Sequence, residues 1–169
     1  TGLKKLPMPR TGLTTLPAAI SSLSALEELD VTGKEGTPGI RGVAADVFSG
    51  LTKLKKLNAS NNSFSGDLSW LKDLSALQTL RLDGNQLSGQ LDLSQFSPNL
   101  TDVYLSNNKL EGNLNGISTL TKVRNLYLEH NLLSGELPAE LGNCSTLSYF
   151  YLSNNNITGT IPVEVAKMN

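Results

Sequence analysis

The chain has 169 residues, enough for one domain with a sizeable core, and its 14 basic and 15 acidic residues leave a formal net charge of −1. No Lys/Arg run marks a nucleic-acid groove, and no apolar stretch approaches the roughly 20 residues of a membrane-spanning helix. The single cysteine, Cys144, excludes an internal disulfide, and the opening TGLKKLPMP lacks the form of a signal peptide, so it reads as a mature or trimmed end.

In chain order, the first apolar positions in a regular frame are Leu3, Leu6, Met8 and Leu13, with Thr11 two before the last. Leu26, Leu29 and Val31 open a second unit, which runs 28 residues before the pattern restarts at Leu54. The excess falls in GKEGTPGIRG, residues 33–42, whose glycines and proline read as an irregular surface loop. From there the pattern is strict. The segments beginning at Leu54, Leu77, Leu100, Val123 and Leu147 read LKKLNASNNSFSG, LQTLRLDGNQLSG, LTDVYLSNNKLEG, VRNLYLEHNLLSG and LSYFYLSNNNITG. Each fits L-x-x-L-x-L-x-x-N-x-L-x-G, with Ala59 and other apolar substitutes. The whole chain is therefore predicted to be one repeat domain, with units starting near residues 3, 26, 54, 77, 100, 123 and 147.

Each column of the repeat has a physical reading. The alternation in L-x-x-L-x-L has period two, so each unit contributes a short strand whose leucines point inward, and successive strands stack in parallel. Seven strands at about 4.8 Å spacing give a sheet roughly 29 Å across. The asparagine column, Asn62, Asn85, Asn108, Asn131 and Asn155, follows the strand, where a side-chain amide can satisfy both N–H and C=O groups of a turning backbone. These five form a predicted structural ladder. The glycine column, Gly66, Gly89, Gly112, Gly135 and Gly159, suits unusual backbone angles; no Lys-Ser/Thr follows any of these glycines, so none belongs to a phosphate loop. Cys144 keeps the phase of Leu74 and Leu120 and is predicted to be an apolar core residue rather than a reactive thiol.

These columns resemble the leucine-rich repeat superfamily. The continuation L-x-G-x-[IL]-P, clearest in LSGELP (133–138) and ITGTIP (157–162), is similar to its plant-type subfamily. That subfamily includes receptor-kinase ectodomains, receptor-like proteins and polygalacturonase inhibitors, and some protist surface antigens carry similar repeats. The resemblance implies an α/β repeat solenoid, a right-handed curved array of about seven repeats with a parallel sheet on its concave face. Family ectodomains usually carry flanking paired cysteines, which this chain lacks. Met168 stands three residues before the place where another repeat would begin, so the chain is expected to be part of a longer protein. End-to-end self-association through uncapped ends is the alternative.

The strand residues between inward leucines face the concave surface. At the position between the second and third leucine the array reads Pro7, Asp30, Asn58, Arg81, Tyr104, Tyr127 and Tyr151, and Tyr149 points to the same face. All four tyrosines thus gather at one end, with Asp102, Glu129 and His130 close by. Two readings stay open: cross-strand packing that stiffens the sheet, or a binding platform of rings that offer apolar area and a hydroxyl. The ligand-binding candidates are Tyr104, Tyr127, Tyr149, Tyr151, Arg81, Asp102, Glu129 and His130. At the other end Lys4 and Lys5, Glu27 and Glu28, then Lys55 and Lys56 alternate in sign and read as salt-bridged solvated strands.

Catalysis finds little support. His130 is the only histidine, so no metal cluster is expected, and Asp102 with Glu129 on the neighbouring repeat is a weak carboxylate pair on an open sheet. No cofactor or metal is expected. The predicted function is non-catalytic recognition of a protein, peptide or glycan, with no nucleic-acid partner and no direct membrane insertion. The resemblance favours an extracellular or cell-surface setting. Sequons at Asn58, Asn61, Asn99, Asn143 and Asn156 are little more frequent than chance and add only a weak hint of secretion. An intracellular scaffold, or an inhibitor of another enzyme, is the alternative.

Overall fold

A computed structural model describes residues 2–168. The strands Lys5–Pro7, Glu28–Asp30, Lys56–Asn58, Thr79–Arg81, Asp102–Tyr104, Asn125–Tyr127 and Tyr149–Tyr151 form one seven-stranded parallel sheet in chain order. Its register brings each repeat position beside its counterpart, so Leu29, Leu57, Leu80, Val103 and Leu126 form an unbroken buried row. The next inward row, Val31, Ala59, Leu82, Leu105 and Leu128, is equally sealed. Each such side chain contributes about 1.5–3 kcal/mol, and no unit could bury its apolar face alone. Leu6 and Met8 in the first repeat, and Phe150, Leu152 and Ile157 in the last, pack against this core but are only partly buried. Leu3 and Leu13 are exposed.

The chain leaves six of the seven strands through a residue of positive φ: Arg10, Asn61, Asn107, His130 and Asn154 lie at 55–57°, and Gly84 at 66°. Asparagine tolerates this left-handed conformation better than most residues, and this explains the doublets Asn61-Asn62 and Asn107-Asn108. The first member turns the backbone. The second enters the ladder, which the structure builds from buried amides. Asn85 accepts from the Phe64 N–H at 3.0 Å and donates to the carbonyls of Ala59 and Leu82 at 3.0 and 2.9 Å. Asn62, Asn108, Asn131 and Asn155 repeat the arrangement.

After the ladder a second set of strands appears that the period-two reading did not anticipate. Arg41–Val43, Ser63–Gly66, Gln86–Leu91 and Lys109–Gly112 pair in parallel, and Ser134–Glu136 pairs with Asn156–Thr158. Gly66, Gly89, Gly112 and Gly135 lie in these strands, and Gly159 follows directly after the last of them. Gly112 has φ 96°, and a Cβ there would stand 2.9 Å from Gln90 Oε1 and 3.2 Å from the Leu91 nitrogen. Gly112→Ala is expected to cost about 2 kcal/mol through strain alone, read as a lower urea midpoint with an unchanged slope.

Residues 33–42 are only partly the loop expected. A turn closes where Thr37 N–H donates to the Lys34 carbonyl at 3.2 Å, but Ile40 is buried and Arg41–Val43 is already strand. Ile40 rejoins the frame because its N–H donates to Asn62 Oδ1 at 2.8 Å, as Phe64, Leu87, Leu110 and Leu133 do to the ladder asparagines that follow them. The returning segments are short turns of 3-10 helix, except for the α-helix Ala44–Phe48, which buries Ala44, Val47 and Phe48. Cys144 is buried, and desolvation raises its thiol pKa above the ordinary value, as an inert core residue requires.

Candidate functional site

The concave surface is built of rows that run across the strands. One row is Lys5, Glu28, Lys56, Thr79, Asp102, Asn125 and Tyr149; the next is Pro7, Asp30, Asn58, Arg81, Tyr104, Tyr127 and Tyr151. Three tyrosines therefore fall on adjacent strands at one register position. Their rings stack: the centroids of Tyr104 and Tyr127 are 4.7 Å apart with planes at 16°, and those of Tyr127 and Tyr151 are 4.7 Å apart at 19°. That spacing matches the separation of neighbouring strands, so the sheet itself sets the stack. Arg81 continues it, with Cζ 4.3 Å from the centre of the Tyr104 ring. Desolvation within the row raises the Tyr127 pKa above its ordinary value, with smaller contributions from Tyr151, Tyr104 and Glu129.

The inner faces of these rings are thus occupied by one another, and their edges and hydroxyls are what the surface offers. Tyr151 and Tyr149 are 46% and 54% exposed, whereas Tyr104 and Tyr127 are half-buried. Tyr149 belongs to the neighbouring row and flanks the stack instead of joining it.

The polar candidates divide around this row. Asp102 accepts from Thr101 Oγ1 at 2.7 Å and from Asn125 Nδ2. Glu129 lies on the other side of the tyrosines, four residues beyond Asn125 on the neighbouring strand, roughly 13 Å along the sheet from Asp102's register position. The two carboxylates do not form a pair, which removes the one acid–base arrangement the sequence offered. Glu129 Oε2 is sealed from solvent and has no hydrogen-bond partner among the described residues. His130, exposed and held at φ 56°, has Nε2 3.1 Å from Asn154 Nδ2. The strand-exit residues Asn61, Asn107 and Asn154 were not picked out from the sequence as a backbone-turning row; their signal was the asparagine doublet.

The opposite end carries ion pairs. Lys4 and Lys55 lie 3.3 and 2.7 Å from Glu27, and Lys5 and Lys56 lie 3.0 and 3.9 Å from Glu28. Lys55, then Lys4, lowers the Glu27 pKa by hydrogen bonding. These groups are solvated, so the pairs are screened by salt and orient the strands more than they stabilise them. Between them and Arg81 the small residues Pro7, Asp30 and Asn58 leave a shallow depression that runs up to the aromatic row. Among the described residues, no group of three or more His, Cys, Asp or Glu side chains could hold a metal ion, and no helix is long and apolar enough to cross a membrane.

Comparison with known proteins follows the same lines. Family profiles described as leucine-rich repeat match residues 38–87, and residues 122–144 and 146–168. The chain is similar to the ectodomain of the plant membrane receptor kinase GASSHO1/SCHENGEN3 from Arabidopsis thaliana, solved in complex with CASPARIAN STRIP INTEGRITY FACTOR 2. The TM-score is 0.89 and the identity 30%, over 98% of this chain and 20% of that one. It is also similar to the plant peptide hormone receptor RGFR1 in complex with RGF2, with TM-score 0.83 and 29% identity over 91% of this chain and 24% of that one. The ectodomain of the receptor kinase SOBIR1 from Arabidopsis thaliana matches with TM-score 0.65 and 32% identity, over 72% of this chain and 68% of that one. The chain thus spans about a fifth to a quarter of the length of the first two.

Proposed function

The chain belongs to the leucine-rich repeat superfamily, with plant-type resemblance, and on that premise we propose that it is a non-catalytic recognition module that binds an extended peptide or protein segment across its concave face. The observation that carries this reading is the continuous row Arg81–Tyr104–Tyr127–Tyr151, flanked by Tyr149, on the open face of the sheet. Rigid aromatic side chains lose little entropy on binding and combine apolar area with a polar tip. The similar peptide hormone receptor solved with RGF2 supports a peptide over a glycan as ligand, and the similar receptor-kinase ectodomains support an extracellular or cell-surface setting.

Packing and binding separate in one experiment. Peptides selected against the wild-type protein from a random twelve-residue display library are titrated against Tyr127→Ala and Tyr151→Ala, and the stability of each variant is measured alongside. The expected result is a loss of affinity of about tenfold or more in either variant. Reduced stability with unchanged affinity would leave the tyrosines as packing alone.

A further inference from the structure

We infer that the peptide segment bound by the concave face carries a lysine or arginine side chain, and that Glu129 receives its cation. This deepens the concave-face reading and rests on it. The inference starts from an imbalance among the carboxylates of that face. Glu27 and Glu28 are ion-paired with lysines. Asp30 accepts from the N–H and hydroxyl of Thr32 at 3.0 and 2.6 Å, and Asp83 accepts from Ser60 Oγ at 2.7 Å. Asp102 is held by Thr101 and Asn125. Glu129 differs from all of these, since its Oε2 is sealed from solvent and has no hydrogen-bond partner among the described residues.

A carboxylate oxygen without water or a donor is costly, and the cost is removed when a donor arrives. A cation gives the strongest return because the bond is charge-assisted. Among the described residues, no cation of the protein itself pairs with it. Arg81 is stacked on Tyr104, and Arg124 lies five residues before Glu129, roughly 16 Å away along the chain. The His130 ring faces Asn154. Glu129 as a residue is only half-buried, so a turn of its side chain brings Oε2 to the open face, where a long basic side chain from outside can reach it. The repeats on either side place only serines, Ser106 and Ser153, beside Glu129, as the bonds Asn107 N–H to Glu129 O and His130 N–H to Ser153 O show. Tyr127, two residues earlier on the same face, offers an aromatic edge for the aliphatic stem. A lone carboxylate lacks the oxygen ligands a metal cation needs, which favours an ammonium or guanidinium group.

The test uses the same random twelve-residue library, selected in parallel on wild-type protein and on Glu129→Gln, with both proteins shown to be folded by circular dichroism and thermal melting. Binders selected on wild type are expected to share a lysine or arginine that Glu129→Gln selections lack. Replacing that residue by norleucine, or Glu129 by Gln, is expected to weaken binding about tenfold. The two changes together are expected to cost no more than either alone, and Glu129→Asp is expected to recover part of the loss. Binders that depend on Tyr127 and Tyr151 but share no cation, or whose affinity ignores Glu129→Gln, would overturn this inference and leave the concave-face reading standing. Binders indifferent to the tyrosines and to Glu129 alike, or no enriched binder at all, would overturn both.

Discussion

Phe64→Ala is expected to lower the unfolding free energy by about 4 kcal/mol. Phe64 fills the apolar position that follows the ladder asparagine, where the neighbouring repeats have Ile40 and Leu87, and it is fully buried. Its ring centroid lies 5.0 Å from that of Phe48 at an interplanar angle of 59°, and Phe48 in turn lies 5.4 Å from Trp70 at 43°. The indole N–H of Trp70 donates to the Asp67 carbonyl at 2.9 Å, so this aromatic cluster is anchored at one end. Removing the Phe64 ring leaves a cavity between the helix Ala44–Phe48 and the strand Ser63–Gly66, and backbone held in two sheets cannot collapse to fill it. Phe64→Leu keeps most of the volume and is expected to cost under about 1.5 kcal/mol. Urea denaturation followed by Trp70 fluorescence measures both. A cost below about 1 kcal/mol for the alanine variant would mean that the site relaxes freely and that the cluster is not a rigid unit.

Asn108→Ala is expected to cost about 3 kcal/mol. The amide accepts from the Leu87 N–H at 3.0 Å and donates to the carbonyls of Leu82, Leu105 and Ser106 at 3.0, 3.1 and 3.2 Å. These partners belong to two consecutive repeats, so one side chain closes the turn of its own unit and ties it to the preceding one. Alanine would orphan backbone groups that water cannot reach, and this exceeds the loss of the bonds themselves. Asn155→Ala removes an equivalent set, but Asn155 is only half-buried, so water can replace part of what is lost and the expected cost is smaller. The comparison is read from denaturation midpoints of the two variants. Equal costs would show that the ladder contributes through chain geometry and not through buried hydrogen bonds.

The two variants touch features that differ in how readily the sequence shows them. Asn108 stands out at once, because the same residue recurs at Asn62, Asn85, Asn131 and Asn155 in phase with the leucines. Phe64 does not: it looks like one more apolar member of its column, and its partner Phe48, with Trp70 beyond it, comes from another segment of the chain. The same contrast holds on the concave face. Tyr104, Tyr127 and Tyr151 share a register position, so their adjacency follows from the period. The near-parallel stacking, and the addition of Arg81 to it, depend on side-chain rotamers that the repeat pattern does not encode. Asp102 and Glu129 lie on neighbouring repeats, yet the strands place them on opposite sides of the tyrosine row.

By itself, the sequence determined the repeat, its strand, its ladder and the face that each strand residue occupies. A solenoid repeats one nearest-neighbour interaction, and such an interaction can be read along a single dimension. Only the tertiary structure decided the second set of strands, the return of residues 40–43 to the frame within what looked like a loop, and the aromatic cluster around Phe64. Among the described residues it also left Glu129 Oε2 without a hydrogen-bond partner, while Glu27, Glu28, Asp30, Asp83 and Asp102 found theirs. These features arise where backbone and side chains of adjacent repeats meet at distances that depend on packing, and one unit's sequence does not specify its neighbour's position.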